Sequence, residues 1–229
     1  MYKRQGQHRG GYTGFAVEIT DLVNREGENL LTVQLDTRED PTIPPFGFVI
    51  DYLTYGGLYR EVWLEATAES RLTDLFVYTP TLQEAVVQWT AELTPAAAAV
   101  RIRLETAEGT LLAEQTAPAA ETGKMQLSVP EAQPWDTEHP VLHHAVAELL
   151  NAAGQPIDRK QVTFGFRTAE FRADGFYLNG KKTFLRGLNR HQSYPYIGYA
   201  APESLQREDA RILQEELHCT AVRLSLIHI

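Results

Sequence analysis

Seven short β-prone segments follow one another in the middle of this chain: Leu72 to Tyr78, Ala85 to Leu93, Val100 to Thr106, Gly109 to Gln115, Lys124 to Val129, His143 to Leu150 and Gln161 to Phe166. They fill roughly a hundred residues, a spacing that leaves room for turns between strands but not for crossover helices. The pattern predicts two antiparallel sheets packed face to face, an immunoglobulin-like β-sandwich over residues 68–167. Ala96 to Ala99 is the one run with intrinsic helix preference, yet Pro95 precedes it and too few residues are available, so it reads as a loop.

Upstream, residues 6–67 show a similar grammar. Tyr12 to Ile19 and Leu30 to Leu35 are β-prone and flank a turn at Asn24 to Asn29, and Leu31, Val33 and Leu35 alternate as in a half-buried strand. Pro41, Pro44 and Pro45 lack amide donors, so Arg38 to Phe48 is expected to be an irregular loop. After Gly56-Gly57, Leu58 to Leu64 places Leu58, Val62 and Leu64 on one face and Tyr59, Glu61 and Trp63 on the other, which closes a first sandwich-like domain.

Downstream the grammar changes. Phe176 to Leu178, Asn179-Gly180 and Thr183 to Leu185 predict a hairpin, because Asn-Gly suits a two-residue turn. Arg186, Asn189, Arg190 and His191 follow within a few residues, a density of polar groups typical of a strand tip that carries a site. From Pro202 to His218, Leu205, Ala210, Ile212, Leu213 and Leu217 recur at helical spacing between charged residues, and Thr220 to Arg223 reads as a strand. Hairpin, polar strand tip, amphipathic helix and second strand form a βαβ unit, the opening of a (β/α)8 barrel over residues 168–223.

Composition narrows the function classes. With 229 residues, a net charge of -9 and 43% hydrophobic residues, the chain is globular, and it lacks the basic stripe that nucleic-acid binding needs. The single cysteine, Cys219, excludes an intramolecular disulfide and a cysteine zinc cage, and its apolar neighbours make a buried, inert thiol the expectation. No apolar run of about 18 residues and no signal-peptide core is visible, so a soluble, cytoplasmic protein without membrane contact is expected.

The two ends read as sequencing-adapter artefact. Met1 to Gln5 can be encoded by GTG TAT AAG AGA CAG, and the reverse complement of that string encodes Leu-Ser-Leu-Ile-His, the residues Leu224 to His228. Residues 1–5 and 224–229 are therefore set aside from fold reasoning, leaving an internal fragment.

Four ordered motifs now stand together. They are Gly10-Gly11-Tyr12-Thr13 with Phe15 and Ile19 to Leu22; Asp51 through Gly57-Leu58-Tyr59-Arg60 with Val62; Trp135 to Pro140 followed by Phe164 to Arg167; and Gly187-Leu188-Asn189-Arg190-His191. In this order they resemble glycoside hydrolase family two, the β-galactosidase, β-glucuronidase and β-mannosidase group, over nearly the whole chain. The resemblance implies a jelly-roll sugar-binding domain, of which residues 6–67 are the C-terminal part, then the immunoglobulin-like domain, then the truncated barrel.

It also implies roles. Asp51 resembles an aspartate that reaches the substrate subsite, accepts sugar hydroxyls and, in galactosidases, helps hold a monovalent cation; a turn-initiating Asp before Gly56-Gly57 is the competing reading. His191 resembles a histidine lining the same subsite, where imidazole donates to a hydroxyl or to developing charge. Asn189 and Arg223 match the tips of the first two barrel strands and join the substrate-binding set. Arg190 is assigned to the scaffold, as the partner of a barrel carboxylate. The family shows Glu where Gln192 stands, so a role that needs that charge is in doubt. Trp63 and Trp135 are expected to pack rather than to stack on sugar.

The family reaction is retaining hydrolysis, with two carboxyl groups about 5 to 5.5 Å apart, one acid and one nucleophile. Both are glutamates on later barrel strands, whereas Glu203, Glu208, Glu215 and Glu216 lie on the helix, so the chain alone is expected to be inactive. The expected ligand is a β-linked glycoside or oligosaccharide, most simply a β-galactoside. No cofactor is expected here, although full-length members use Mg and Na ions and are homo-oligomeric in some cases. The alternatives are a noncatalytic carbohydrate-binding β-sandwich protein, or a β-glucuronidase or β-mannosidase of the same family.

Overall fold

The computed structural model describes residues 6–11, 13–38, 40–43, 56–191 and 193–224. The chain divides into two compact units, one of residues 1–63 with 191–208 and the other of residues 64–190 with 209–229.

The larger unit contains the expected sandwich. Its strands are β1 (Arg71–Thr81), β2 (Glu84–Glu92), β3 (Ala99–Thr106), β4 (Leu111–Pro118), β5 (Thr122–Ser128), β6 (His143–Leu150) and β7 (Pro156–Phe164). They form a three-stranded sheet in the order β1-β2-β5 and a four-stranded sheet in the order β4-β3-β6-β7, antiparallel throughout. The register follows from the period of two. Ala85, Val87, Trp89 and Ala91 of β2 point inward to meet Val100, Ile102 and Leu104 of β3 and Ala145, Ala147 and Leu149 of β6. Small alanines on β6 face the larger side chains, which lets the two layers interdigitate at interior density. Phe166, fully buried, belongs to the same core.

Strand β6 is buried on both faces, which its sequence explains. On the face away from the core, Glu148 is covered by Arg101, whose Nε and Nη2 donate to its Oε2 at 2.9 and 2.6 Å, and by Arg103, whose Nη2 donates to Oε1 at 3.2 Å. Arg103 Nε also lies 3.1 Å from Glu105. Two arginines against two glutamates keep the buried carboxylate compensated. At the other end of β6, His143 is buried against Phe164 and Phe166, with ring centroids 5.9 and 5.0 Å away. Burial pushes its pKa below the usual histidine value, opposed by Glu108 and reinforced by His144.

Beyond the sandwich, β8 (Ala169–Arg172), β9 (Gly175–Leu178) and β10 (Lys181–Lys182) form a small antiparallel sheet. Asn179, at φ 52°, and Gly180, at φ 75°, make the expected turn, both in the left-handed region that Asn and Gly tolerate. Strand β8 adds a third strand to the predicted hairpin: Ala169 to Arg172 alternates apolar with polar, but over only four residues, too short a run to mark a strand by pattern alone. Then β11 (Gly187–Asn189) and β12 (Ala221–Arg223) pair in parallel, and the intervening chain contains helix α1 (Glu203–Arg211) continued by a wider turn over Ile212–Glu216. The βαβ order is as expected; no closed barrel forms among the described residues, and no helix is long and apolar enough to cross a membrane.

The smaller unit departs from expectation. Among its described residues, the segments expected as strands near 13–19, 30–35 and 58–63 carry no sheet ladder. The alternation is present, but no described residue covers it: Leu30, Leu31 and Trp63 are 88%, 69% and 72% exposed. A strand needs a neighbour for its amides and a cover for its apolar face, and among the described residues these segments have neither. What does hold this unit is a turn and a few single hydrogen bonds between distant segments. Asn29 closes the turn onto Asn24 with bonds of 2.7 and 2.8 Å, the Tyr59 hydroxyl donates to the Gly11 carbonyl at 2.9 Å, and Arg60 donates to the Tyr199 carbonyl.

Candidate functional site

The polar strand tip is built by backbone pairing. Gly187, Leu188 and Asn189 stand opposite Ala221, Val222 and Arg223, so Asn189 and Arg223 occupy one rung at the C-terminal ends of two parallel strands. Gly187 is required there: a Cβ would meet the Ala221 carbonyl oxygen at 2.8 Å. The Arg186 carbonyl accepts from the Thr220 and Ala221 amides at 2.8 and 3.1 Å, and the Arg190 amide donates to the Arg223 carbonyl at 2.9 Å, which extends the ladder on both sides of the rung.

At that rung Arg223 Nη1 lies 3.5 Å from Asn189 Oδ1, a long contact that leaves the amide and the guanidinium able to turn toward a ligand. The two strands line a cavity of about 250 Å³. Its chemistry is one cation, one amide and an apolar wall of Leu185, Leu188 and Val222, suited to a polyhydroxylated ligand rather than to an acid or base reaction by itself.

Arg190 faces away from this chemistry. Its Nε and Nη2 reach Asp209 Oδ2 at 2.7 and 2.6 Å, with the guanidinium only 13% exposed, so it ties the strand tip to the segment before β12. The partner is supplied by the helix rather than by a barrel strand. Three further carboxylates of this segment are engaged by arginines: Glu203 with Arg207, and Glu215 and Glu216 with Arg211. Among the described residues no group of three or more His, Cys, Asp or Glu side chains could hold a metal ion.

Of the residues singled out from sequence, Asn189 and Arg223 are brought together. His191 is exposed and falls in the smaller unit, while Asp51 and Gln192 lie outside the described residues. Trp135 packs, as expected: its ring lies beneath the Arg167 guanidinium at 4.6 Å, and a Cβ on Gly165 would come 2.6 Å from the Trp135 Cβ and 2.9 Å from its Cγ. Cys219, by contrast, is half-buried rather than enclosed.

Sequence reasoning missed the latch beside this tryptophan. Asn179 donates through Nδ2 to the Trp135 carbonyl at 2.9 Å and accepts the Thr168 amide at 3.0 Å, which joins the hairpin turn to the loop before β6. The only sequence signal was the Asn of Asn-Gly, already used by the turn. The same loop is held by Asp136, whose Oδ1 accepts the His139 and Glu138 amides at 2.6 and 2.8 Å, bonds that pull its pKa below the usual carboxylate range.

The family model described as Glycosyl hydrolases family 2 matches residues 70–167, the span of the sandwich. A β-galactosidase of Thermoanaerobacter pseudethanolicus is 37% identical over 230 residues, covering 96% of this chain and 31% of that protein. A β-glucuronidase of Bacteroides fragilis is 30% identical over 245 residues, covering 97% of this chain and 34% of that protein. Among solved structures, the apo form of Bacteroides uniformis β-glucuronidase 3 superposes with a TM-score of 0.67 at 27% identity, over 77% of this chain and 22% of that one. The chain thus spans about a third of the length of the curated relatives it matches.

Proposed function

The chain belongs to glycosyl hydrolases family 2, and from that premise we propose that it is part of a retaining β-glycosidase that removes terminal β-linked sugars, most simply a β-galactosidase. The observation that carries the reading is the identity of 37% to a β-galactosidase over nearly the whole chain, against 32% to a putative β-glucuronidase and 30% to a β-glucuronidase. In this proposal residues 6–67 are the end of a jelly-roll sugar-binding domain, residues 68–167 the immunoglobulin-like spacer and residues 168–223 the first βαβ portion of the catalytic barrel.

Asn189 and Arg223 are proposed to bind substrate hydroxyls from one rung, His191 and Asp51 are proposed as further substrate-binding residues, and Arg190 holds the strand tip through Asp209. Hydrogen-bonding groups carried at adjacent strand ends can together orient a pyranose, which is the useful contribution of such a rung to the transition state. The chemical step needs two carboxyl groups about 5 to 5.5 Å apart across the glycosidic bond. Glu203, Glu215 and Glu216 are bound to arginines, and the 229-residue chain by itself is proposed to hydrolyse nothing.

The test is a chimera. Residues 6–223 replace the matching segment of the Thermoanaerobacter β-galactosidase, and aryl β-galactoside and aryl β-glucuronide hydrolysis are measured side by side. Galactoside turnover near that of the parent, lost on Asn189→Ala with Arg223→Ala, supports the proposal. Turnover untouched by those substitutions removes the assigned roles, and a switch to glucuronide would transfer the proposal to that sugar.

A further inference from the structure

We propose that the solvent face of the β1-β2-β5 sheet is a second carbohydrate-binding surface, built for a short neutral oligosaccharide. The outward side of a sandwich sheet needs only polar residues, yet β1 presents Phe76 and Tyr78 there, 56% and 42% exposed, with ring centroids 6.2 Å apart and planes 34° from parallel. Neither belongs to the core, and neither is needed to pair the strands.

The register arranges the rest. Phe76 stands on one rung with Gln88 and Lys124, and Tyr78 on the next with Val86 and Gln126, while Asp74 lies one rung to the other side. Two aromatic plates are thereby flanked by amide and charged groups at fixed strand positions. That is the complement of a sugar, which offers an apolar C–H face to a ring and hydroxyls at its rim. Gln126 is already oriented: its amide donates to Glu84 Oε1 at 2.9 Å, and Thr81 holds the same carboxylate at 3.2 Å. On a chain of net charge -9, this patch carries Asp74 and Glu84 against Lys124, which disfavours a nucleotide or an anionic surface and leaves an uncharged ligand.

The rungs also border a cavity of about 370 Å³, the lower range of small-ligand sites. Its floor is rigid. The Trp89 indole lies flush beneath Gly123, where a Cβ would come 2.2 Å from Cζ2, and its N–H donates to the Ala120 carbonyl at 3.0 Å. A side chain at position 123 would displace the indole, so the glycine keeps the floor closed and level.

The experiment uses the full chain and needs no turnover, so it succeeds or fails independently of the proposed activity. Neutral β-linked galacto-oligosaccharides of three to five units are titrated while backbone amide shifts are followed by NMR. The expected result is saturable binding with a Kd of about 0.1–1 mM, shifts centred on Phe76, Gln88 and Lys124, and a loss of about tenfold or more in Phe76→Ala with Tyr78→Ala. Phe76→Tyr should retain binding, because it keeps the plate. No saturable binding to the native chain overturns the proposal. So do shifts centred elsewhere, binding untouched by the alanine pair, or self-association through these residues that the oligosaccharide does not compete. The native-chain shift map stands even if a variant fails to fold.

Discussion

Two stretches of this molecule carry the same sequence signal and meet different fates. Residues 71–164 alternate apolar and polar side chains, and they bury Ile102, Leu104, Val87 and Leu149 to zero or near-zero exposure between two sheets. Residues 30–35 alternate as cleanly, yet Leu31, Val33 and Leu35 stay 69%, 46% and 50% exposed. Alternation states which face of a strand is apolar; it does not supply the neighbouring strand or the opposing sheet. In the sandwich β1 with β2, β3 with β4, and β6 with β7 pair through short connections, while β5 reaches β2 across β3 and β4, so every strand finds a neighbour within the same span of about a hundred residues. In the smaller unit no such neighbour is present among the described residues.

The largest expected effect breaks the covered side. Ile102→Ala or Leu104→Ala, each removing a fully buried side chain, should cost about 2–5 kcal/mol in urea unfolding. Leu31→Ala should stay within about 0.5 kcal/mol, since an exposed leucine has little burial to lose. Equal losses at the two sites would erase the distinction.

Gly123→Ala comes next. The added Cβ must push Trp89 out of the core layer, at about 1–3 kcal/mol by the same unfolding measurement. Glu148→Ala should cost about 1–3 kcal/mol by leaving Arg101 and Arg103 facing a partly buried gap; the figure is kept low because both arginines retain about a quarter of their exposure and remain partly hydrated.

A smaller effect is a slope rather than a loss. Burial lowers the His143 pKa in the folded chain, so between the folded and unfolded pKa values the unfolded chain binds more protons. Stability should hold above pH of about 6.5 and fall as the pH drops through and below it. Urea midpoints taken from pH 7.5 down to 5 would show this, and His143→Phe should flatten that part of the profile.

What could be read from the sequence follows from the same comparison. β-Prone segments at regular spacing located six of the seven sandwich strands within about three residues, with β4 starting later because Gly109, at φ 88°, is spent on a turn, while β7 begins at Pro156, five residues before the expected Gln161. Asn-Gly located the hairpin, and helical spacing located α1. The missing pieces were relations between distant residues. Arg190 with Asp209, and Asn179 with Trp135, are joined across 19 and 44 positions. A local pattern has no term for such pairs, and Phe76 and Tyr78 read as ordinary strand residues until the register put both on the solvent face. The rung of Asn189 and Arg223 was legible only as two strand tips, and the parallel pairing is what brings them together.

The most direct measurement is native-state hydrogen exchange along the whole chain, read by mass spectrometry. The account predicts that amides of β2, β3, β5 and β6 exchange only through global unfolding, with β11 and β12 protected as a separate, weaker pair, while residues 30–35 and 58–63 exchange close to the unprotected rate. Protection of residues 30–35 at the level of β3 would mean that their alternation is covered after all, and would contradict the contrast on which this reading of the molecule rests.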